Sequence, residues 1–416
     1  MIKKTKFFNH NSFYFCTYKF IFATKSIGCF LQKSKSISCL IDSHYFTVDF
    51  IELLKNRFRM KSVQNDEEIV MTRKLISRRK FNCMEQLSNS DGVIAALAID
   101  QRGSMVKMME TAVGKERYHI DMVYEFKELV SEELTKYVSA ILLDEEYGFK
   151  GIKAKNSNSG LILSYEKTGY DVNTPGRLPE LLPEESIQRL IKKGADAAKV
   201  LVYYNPDDPQ EILDKKHAFL ERLGDEARAA DLPVLVEPIV YDNDILDDKS
   251  PEFAKIKPKK VIDTIREFTK DCYHIDVLKV EVPVLFKYIE GFNNTNPVVY
   301  KQKDAANYFK IASEAATRPF IYLSAGVPTD VFHQELIFAG ESGAKYSGIL
   351  GGRATWFEGI AAYAKGGKDG LRKWLDTIGR DNVEHLNKIL KKYARPWYDI
   401  YGGKSNIEVF DINLKD

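Results

Sequence analysis

The chain has 416 residues, of which 44% are hydrophobic and 29% charged, and this composition excludes an intrinsically disordered protein. Its 61 basic and 59 acidic residues nearly cancel, so the overall charge gives no indication of nucleic acid or an anionic membrane as partner. The length suits two ordinary domains or one large barrel of alternating strands and helices. No run approaches the roughly 18 apolar residues of a transmembrane helix.

The first 59 residues differ from the rest of the chain. They carry a net charge of +7, which leaves −5 for the remainder, and they contain 13 Phe and Tyr but one Gly and no Pro. A secretory signal is disfavoured because the apolar run is interrupted after four residues, and a transit peptide because Arg is scarce. We therefore expect residues 1–70 to be an extension outside the fold, with Met60 or Met71 as a later start, and residues 72–416 to form one domain.

From about residue 72 onward, short apolar runs alternate with longer amphipathic segments. Eight runs have the character of strands: residues 93–100, 140–145, 161–166, 197–204, 233–239, 276–283, 319–326 and 346–352. Other segments show the three- and four-residue apolar spacing of helices: residues 124–137, 185–193, 209–230, 258–270, 304–317, 331–340, 354–365, 369–378 and 382–393.

Eight strands that are each followed by a helix predict a closed, parallel (β/α)8 TIM barrel of the α/β class, with extra C-terminal helices. An open doubly wound sheet is the alternative. Such a sheet normally carries a glycine-rich phosphate loop after its first strand, whereas this chain has the sequence IDQRG at residues 99–103. The barrel is therefore the favoured fold.

Charged residues inside apolar strands are candidates for chemistry, because burying an unpaired charge is costly. In the sixth strand, alternation places Lys279 and Glu281 on the barrel interior. A lysine held away from water is partly a free amine, which can attack a carbonyl and form a Schiff base. The alternative is a lysine that only pairs with an interior carboxylate, and this strand alone does not decide between them.

The fourth and fifth strands direct Lys199 and Glu237 into the same cavity by the same alternation. Two amines near one carboxylate would favour a free amine on one lysine and keep the carboxylate available as acid or base. A purely structural ion-pair network is the alternative for Lys199, Glu237 and Lys279. At the end of the first strand, Asp100 and Gln101 can orient the nucleophile or bind a substrate hydroxyl, or simply cap a loop.

The ends of the last two strands suit a phosphate group. The seventh strand ends with Ser324 and Gly326, and the eighth with Gly351, Gly352 and Arg353. TIM barrels often bind phosphate after strands seven and eight, where glycines let backbone N–H groups approach the anion and an arginine adds two donors. A tight turn is the alternative, since a Gly-Gly pair alone is a weak signal.

Metal and disulfide chemistry find little support in the sequence. Beyond the N-terminal segment only Cys83 and Cys272 occur, without metal-ligand spacing, which suits two small core residues in a reducing cytoplasm. Near the predicted barrel strands, only His274 offers an imidazole. We therefore expect neither a metal nor a cofactor.

The ordered series of motifs resembles the tagatose 1,6-bisphosphate aldolase family, the Schiff-base aldolases of bacterial lactose and galactose breakdown. The similarity runs from about Met84 to the C-terminal helices, and the segment before Met60 has no counterpart in that family. The motifs that carry it are AIDQRG at 98–103, LDEEYG at 143–148, YEKTGYD at 165–171, KVLVYY at 199–204, EP at 237–238, LKVE at 278–281 and GRA at 352–354.

This resemblance implies a class I aldolase that cleaves D-tagatose 1,6-bisphosphate into dihydroxyacetone phosphate and glyceraldehyde 3-phosphate. It implies Lys279 as the Schiff-base lysine, Glu237 as the general acid/base and Lys199 as a further active-site amine. The implied substrate contacts are Asp100, Gln101, Ser324, Gly326, Gly351, Gly352 and Arg353. The implied setting is the cytoplasm, with a sugar bisphosphate as partner, a homo-oligomer compatible with the sequence, and neither nucleic acid nor membrane involved.

Two alternatives stay open at this point. One is a related Schiff-base aldolase for fructose 1,6-bisphosphate or for a ketose phosphate that carries a sulfonate at its far end. The other is a regulatory protein that senses sugar phosphates on the same fold. The first would share the lysine and phosphate residues and differ around C4 to C6, so the sequence does not separate it from the main hypothesis.

Overall fold

The computed structural model of the chain describes residues 73–167, 174–294 and 296–411. The predicted extension, residues 1–70, lies outside these ranges, so its boundary stays a prediction. Of the helices in the described ranges, none combines the length and the hydrophobicity that crossing a bilayer requires.

Within the described ranges, ten strands form two sheets. The strands are β1 Lys74–Ser77, β2 Ile94–Ala98, β3 Ala140–Leu143, β4 Gly160–Ser164, β5 Ala197–Tyr204, β6 Val234–Val240, β7 Val277–Val280, β8 Phe320–Leu323, β9 Gly348–Gly351 and β10 Ile407–Phe410. Strands β2 to β9 pair in parallel in chain order and close into a barrel, while β1 and β10 form a separate two-stranded parallel sheet. Each predicted strand overlaps one barrel strand, which confirms the (β/α)8 prediction.

Helices surround the barrel and extend beyond its last strand. They are α1 Arg78–Gln86, α2 Gly103–Val113, α3 Asp121–Leu134, α4 Glu145–Ala154, α5 Ile187–Lys192, α6 Gln210–Ala229, α7 Pro251–Phe268, α8 Gln302–Ala315, α9 Thr329–Glu341, α10 Arg353–Trp356, α11 Gly359–Trp374 and α12 Arg380–Tyr393. The break predicted between helices 354–365 and 369–378 is a kink inside α11, where Gly367 has a φ of +60°. A π-helical turn, Leu375–Gly379, then joins α11 to α12.

The start predicted for helix 258–270 is wrong, because α7 begins earlier. Ser250 caps it with its side chain, and Pro258 lies inside the helix instead of at its first turn. Proline has no N–H, so the carbonyl four residues earlier, at Ala254, loses its helical donor. The hydroxyl of Tyr300 donates to that carbonyl and replaces the missing bond.

The two cysteines do not share one environment. Cys83 is buried, as predicted, and burial raises the pKa of its thiol to about 11. Cys272 is exposed, so the prediction of a core residue is wrong there. It lies on the short 3-10 turn Asp271–Tyr273, where Tyr273 takes the buried position instead.

The barrel interior is apolar at one end and charged at the other. Residues near the strand starts, such as Leu235, Val277 and Ile321, form an interior cluster that Trp397 joins. The backbone N–H of Trp397 donates to the carbonyl of Gly92, just before β2, which places this tryptophan at the N-terminal end. Polar groups are thereby left to the C-terminal end of the barrel, where TIM-barrel enzymes carry their active sites.

Candidate active site

The C-terminal ends of the barrel strands surround a cavity of about 450 Å³. Nine of the ten predicted site residues line it: Asp100, Gln101, Lys199, Glu237, Lys279, Ser324, Gly326, Gly352 and Arg353. Gly351 does not line the cavity; it is the last residue of β9 and pairs with Leu97 of β2. Of the motif at 165–171, residues 168–171 lie outside the described ranges.

A continuous series of ion pairs crosses the cavity. The Nζ of Lys199 lies 2.9 Å from Oδ2 of Asp100, 2.8 Å from Oε1 of Glu166 and 2.7 Å from Oε2 of Glu237. The other carboxylate oxygen of Glu237, Oε1, lies 2.8 Å from the Nζ of Lys279. Strands β2, β4, β5, β6 and β7 therefore bring their inward-facing charges into one cluster.

The charges in this cluster are largely fixed by one another. Burial alone would lower the pKa of Lys199, but Asp100, Glu166 and Glu237 outweigh burial and raise this pKa well above its usual value. Burial alone would raise the pKa of Asp100 and Glu237, but Lys199 and Lys279 hold both pKa values below their usual range. These shifts favour the ammonium form of Lys199 and the carboxylate forms of Asp100 and Glu237.

Lys279 is the lysine better placed to react as an amine. Lys199 has three carboxylate partners, whereas Lys279 has one ion-pair partner in the described part of the chain, Glu237. An ammonium surrounded by carboxylates is a poor nucleophile, because its lone pair is used by a tightly held proton. The neighbouring carboxylate of Glu237 can accept a proton from Lys279 over a direct contact.

Glu166 belongs to this site although the sequence did not single it out as a candidate. Burial raises its pKa, and Lys199 offsets this only in part. Its Oε2 atom is buried and has no hydrogen-bond partner among the described residues, and Glu166 lines the cavity. The sequence does contain a pattern that identifies Glu166. Alternation from Ile162 and Ser164 places its side chain inward at the end of the predicted strand.

Arg102 supports the Glu166 side of the cavity. Its Nη2 donates to the backbone carbonyl of Glu166 at 2.8 Å and lies 3.6 Å from the carboxylate oxygen Oε1. The neighbouring Gln101 has a buried Oε1 atom without a hydrogen-bond partner among the described residues. The loop after β2 therefore contributes a fixed cation and an available amide to the site.

The predicted phosphate residues gather on one side of the cavity. The guanidinium of Arg353 lies over Gly326, whose hypothetical Cβ would come within 2.5 Å of the Arg353 Cζ atom. A Cβ on Gly352 would lie 3.5 Å from Oγ of Ser324 and 3.8 Å from Nε2 of Gln101. Glycine backbone, a hydroxyl and a guanidinium thus converge, which suits a phosphate group.

His274, the histidine considered in the metal argument, lies elsewhere. It follows the turn Asp271–Tyr273 and precedes β7, at the opposite end of the barrel from the cavity. Its Nε2 is 3.5 Å from Oδ1 of Asp225. It therefore takes no part in the charged cluster.

Comparison with known proteins identifies similarity to aldolases. Residues 94–358 match the family model described as "DeoC/LacD family aldolase". A curated tagatose 1,6-diphosphate aldolase of Listeria monocytogenes is 52% identical over 336 residues, which is 81% of this chain and 98% of that protein. Its counterparts in Staphylococcus epidermidis and Staphylococcus aureus are 47% and 48% identical over 321 residues, covering 77% of this chain and 98% of each protein.

A solved structure shares the fold at low sequence similarity. It is a fructose-bisphosphate aldolase from Plasmodium falciparum in complex with TRAP and a small-molecule inhibitor, 14% identical, with a TM-score of 0.55. The match covers 80% of this chain and 99% of that chain. This likeness concerns the fold alone. The family model and the curated relatives confirm the resemblance drawn from the motifs, and the chain belongs to the DeoC/LacD family of aldolases.

Proposed function

We propose that the protein is a class I aldolase that cleaves D-tagatose 1,6-bisphosphate into dihydroxyacetone phosphate and glyceraldehyde 3-phosphate. The observation that carries this proposal is the 2.8 Å contact between Lys279 and Glu237, next to a lysine that is held as an ammonium. The substrate is suggested by the curated relatives, which are named tagatose 1,6-diphosphate aldolases. We place the enzyme in the cytoplasm, in the tagatose 6-phosphate route of lactose and galactose catabolism.

The reaction begins at the C2 ketone of the open-chain sugar. Lys279 transfers a proton to Glu237 and attacks C2 as a free amine, which gives a carbinolamine. Glu237 then returns a proton to the departing hydroxyl, water leaves and an iminium forms. The contact between the two side chains lets one carboxylate serve both steps without a second base.

Cleavage follows from the iminium, which accepts electrons. Glu237, which is a carboxylate again once the iminium has formed, accepts the C4 hydroxyl proton as the C3–C4 bond breaks. The electron pair of that bond forms an enamine with the iminium. Glyceraldehyde 3-phosphate leaves first. Protonation of the enamine at C3 and hydrolysis of the resulting iminium release dihydroxyacetone phosphate and restore the Lys279 amine.

The surrounding charges hold substrate and catalyst in place. We assign the C1 phosphate to Ser324, Gly326, Gly352 and Arg353, because these residues converge on one side of the cavity. Gly351 ends β9 directly before Gly352 and does not line the cavity, so we assign it no contact with the phosphate. The ammonium of Lys199 holds the pKa of Asp100 and Glu237 below the usual range, so both groups are ionised when the substrate binds.

Cleavage assays on the full chain test this proposal. We expect release of dihydroxyacetone phosphate from tagatose 1,6-bisphosphate, with a rate that EDTA does not change. Lys279→Met should abolish cleavage, while Lys310→Met, a matched change at an exposed lysine of α8, should not. Loss of activity in EDTA, or a Lys279→Met variant that still cleaves, would contradict the mechanism.

The same assays separate the alternatives. A higher kcat/KM for fructose 1,6-bisphosphate, or for a ketose phosphate with a terminal sulfonate, would identify the related aldolase instead. Tight binding of the bisphosphate without any cleavage would identify the sugar-phosphate sensor.

A further inference from the structure

The ladder between the strands that carry Glu237 and Lys279 ends just before these two residues. β6 pairs with β5 through seven register pairs but with β7 through only two, which end at Val236 and Leu278. If the pairing continued, the next pair would be Glu237 and Lys279. The backbone ladder between the two strands therefore stops one residue short of the catalytic pair.

Pro238 is the physical reason why the ladder between β6 and β7 ends here. The N–H of Asp276 donates to the carbonyl of Val234, so the backbone groups of even-numbered residues in β6 face β7. Pro238 occupies one of these positions and has no N–H to donate. The ladder from β6 to β7 cannot continue past the catalytic pair in the usual way.

The side chain of Glu281 joins the two strands beyond the end of their ladder. Its Oε2 accepts the N–H of Val240 at 2.9 Å, and its Oε1 lies 2.9 Å from the Nζ of Lys257 on α7. Both side chains are largely buried, with exposed fractions of 11% for Glu281 and 3% for Lys257. The carboxylate thus replaces a missing backbone acceptor and ties both strand ends to one helix.

The opposite end of the same two strands carries the same arrangement. Oδ2 of Asp276, just before β7, accepts the N–H of Val234 at 3.0 Å and lies 2.8 Å from the Nζ of Lys80. One carboxylate therefore joins β6 to β7 at each end. Only the Glu281 end lies at the cavity, because Glu281 lines it and Asp276 does not.

We propose that Glu281 is a positioning residue that holds the Lys279 amine against Glu237 and so sets the rate of Schiff-base formation. Glu281 lies two residues after Lys279, and its partner Val240 lies three residues after Glu237. Movement of either strand end changes the 2.8 Å contact between the two catalytic side chains. A misplacement of about 1 Å can slow a reaction on the order of 100-fold. This inference rests on the proposed Schiff-base function.

The matched pair Glu281→Ala and Asp276→Ala tests this role in the full chain. Both variants remove a carboxylate that joins β6 to β7 and leave a lysine unpaired, so we expect both to lower Tm. Of the two variants, only Glu281→Ala should lower kcat and the rate at which borohydride traps an adduct with dihydroxyacetone phosphate, each about 10- to 100-fold. Its KM should stay within about threefold of the wild-type value. Glu281→Gln keeps an oxygen for Val240 and should recover part of the trapping rate.

Equal trapping rates in Glu281→Ala and Asp276→Ala, within about twofold, would overturn the inference. If Glu281→Ala does not fold, Glu281→Gln and Asp276→Asn make the same comparison. A trapping rate at least about threefold lower for Glu281→Gln then supports the positioning role, and equal rates reject it. A wild-type enzyme that forms no adduct contradicts the proposed function itself, whereas an unaffected Glu281→Ala variant contradicts only this inference.

Discussion

Replacing Gly326 by alanine tests the phosphate side of the cavity without removing any charge. Gly326 has a φ of +74°, and a Cβ there would lie 2.5 Å from the Cζ of Arg353. Because the guanidinium is the end of a flexible side chain, it moves aside while the loop keeps its course. The substitution therefore displaces Arg353 from the position it holds over the glycine.

Two effects of this substitution can be separated by their size and by what they act on. The left-handed backbone conformation costs an L-residue about 1–2 kcal/mol, which lowers the free energy of unfolding. Displacing the Arg353 guanidinium weakens charge-assisted hydrogen bonds to the phosphate that are worth about 1.5–3 kcal/mol. At about 1.4 kcal/mol per tenfold, the second effect raises KM about 10- to 100-fold.

Gly343→Ala is the matched control. Gly343 has a φ of +83°, and no heavy atom lies within 4 Å of its hypothetical Cβ, so alanine there adds backbone strain alone. Urea unfolding should show similar losses for both variants, and steady-state kinetics should show a raised KM only for Gly326→Ala. A KM for Gly326→Ala within about twofold of wild type would refute the assignment of the phosphate to this loop.

Three further substitutions test the charges. Burial raises the pKa of Glu335 from 4.5 to about 8, so the free energy of unfolding of the wild type should fall by up to about 4 kcal/mol as pH rises across that interval. In urea unfolding from pH 5 to 8, the free energy of unfolding of Glu335→Gln should depend less on pH. Parallel pH profiles of wild type and variant would contradict this. Lys199→Met leaves buried carboxylates short of a cation, so the free energy of unfolding should fall by about 3–5 kcal/mol and cleavage at least about 100-fold, and unchanged cleavage would reject its role. Arg353→Lys keeps the charge but loses the two-donor fork, so KM should rise more than kcat falls, and an unchanged KM would argue against phosphate contact.

The alternation of inward- and outward-facing residues along each strand was sufficient to predict the charged core of the site. Lys199, Glu237 and Lys279 each lie within a predicted strand, and alternation alone places them inward. Glu166 obeys the same rule, but it ends its strand and was not selected. Alternation of side chains depends only on the local geometry of a strand, so it can be predicted from a single sequence once the strand is recognised.

The electrostatic balance of the cluster could not be predicted in the same way. The sequence argument placed one carboxylate between two lysines, whereas Lys199 contacts Asp100 and Glu166 as well as Glu237. Those two carboxylates follow the ends of β2 and β4, and only the packing of the strands in the barrel brings them to Lys199 of β5. These carboxylate partners raise the pKa of Lys199 well above its usual value, and their number depends on tertiary structure.

The same limit applies to contacts between loops and helices. The position of the Arg353 guanidinium over Gly326 joins the ends of two strands, and no spacing in the chain predicts it. The start of α7 was misplaced because Pro258 resembles a first-turn proline, while the hydroxyl that compensates for it belongs to Tyr300. In both cases the deciding partner is distant in sequence.

Borohydride trapping with dihydroxyacetone phosphate, followed by mass mapping of the peptides, tests the central claim most directly. The account predicts a single covalent adduct, located at Lys279, that forms equally well in EDTA. An adduct at Lys199 or at any other lysine, or no adduct under conditions in which the enzyme cleaves its substrate, would contradict it.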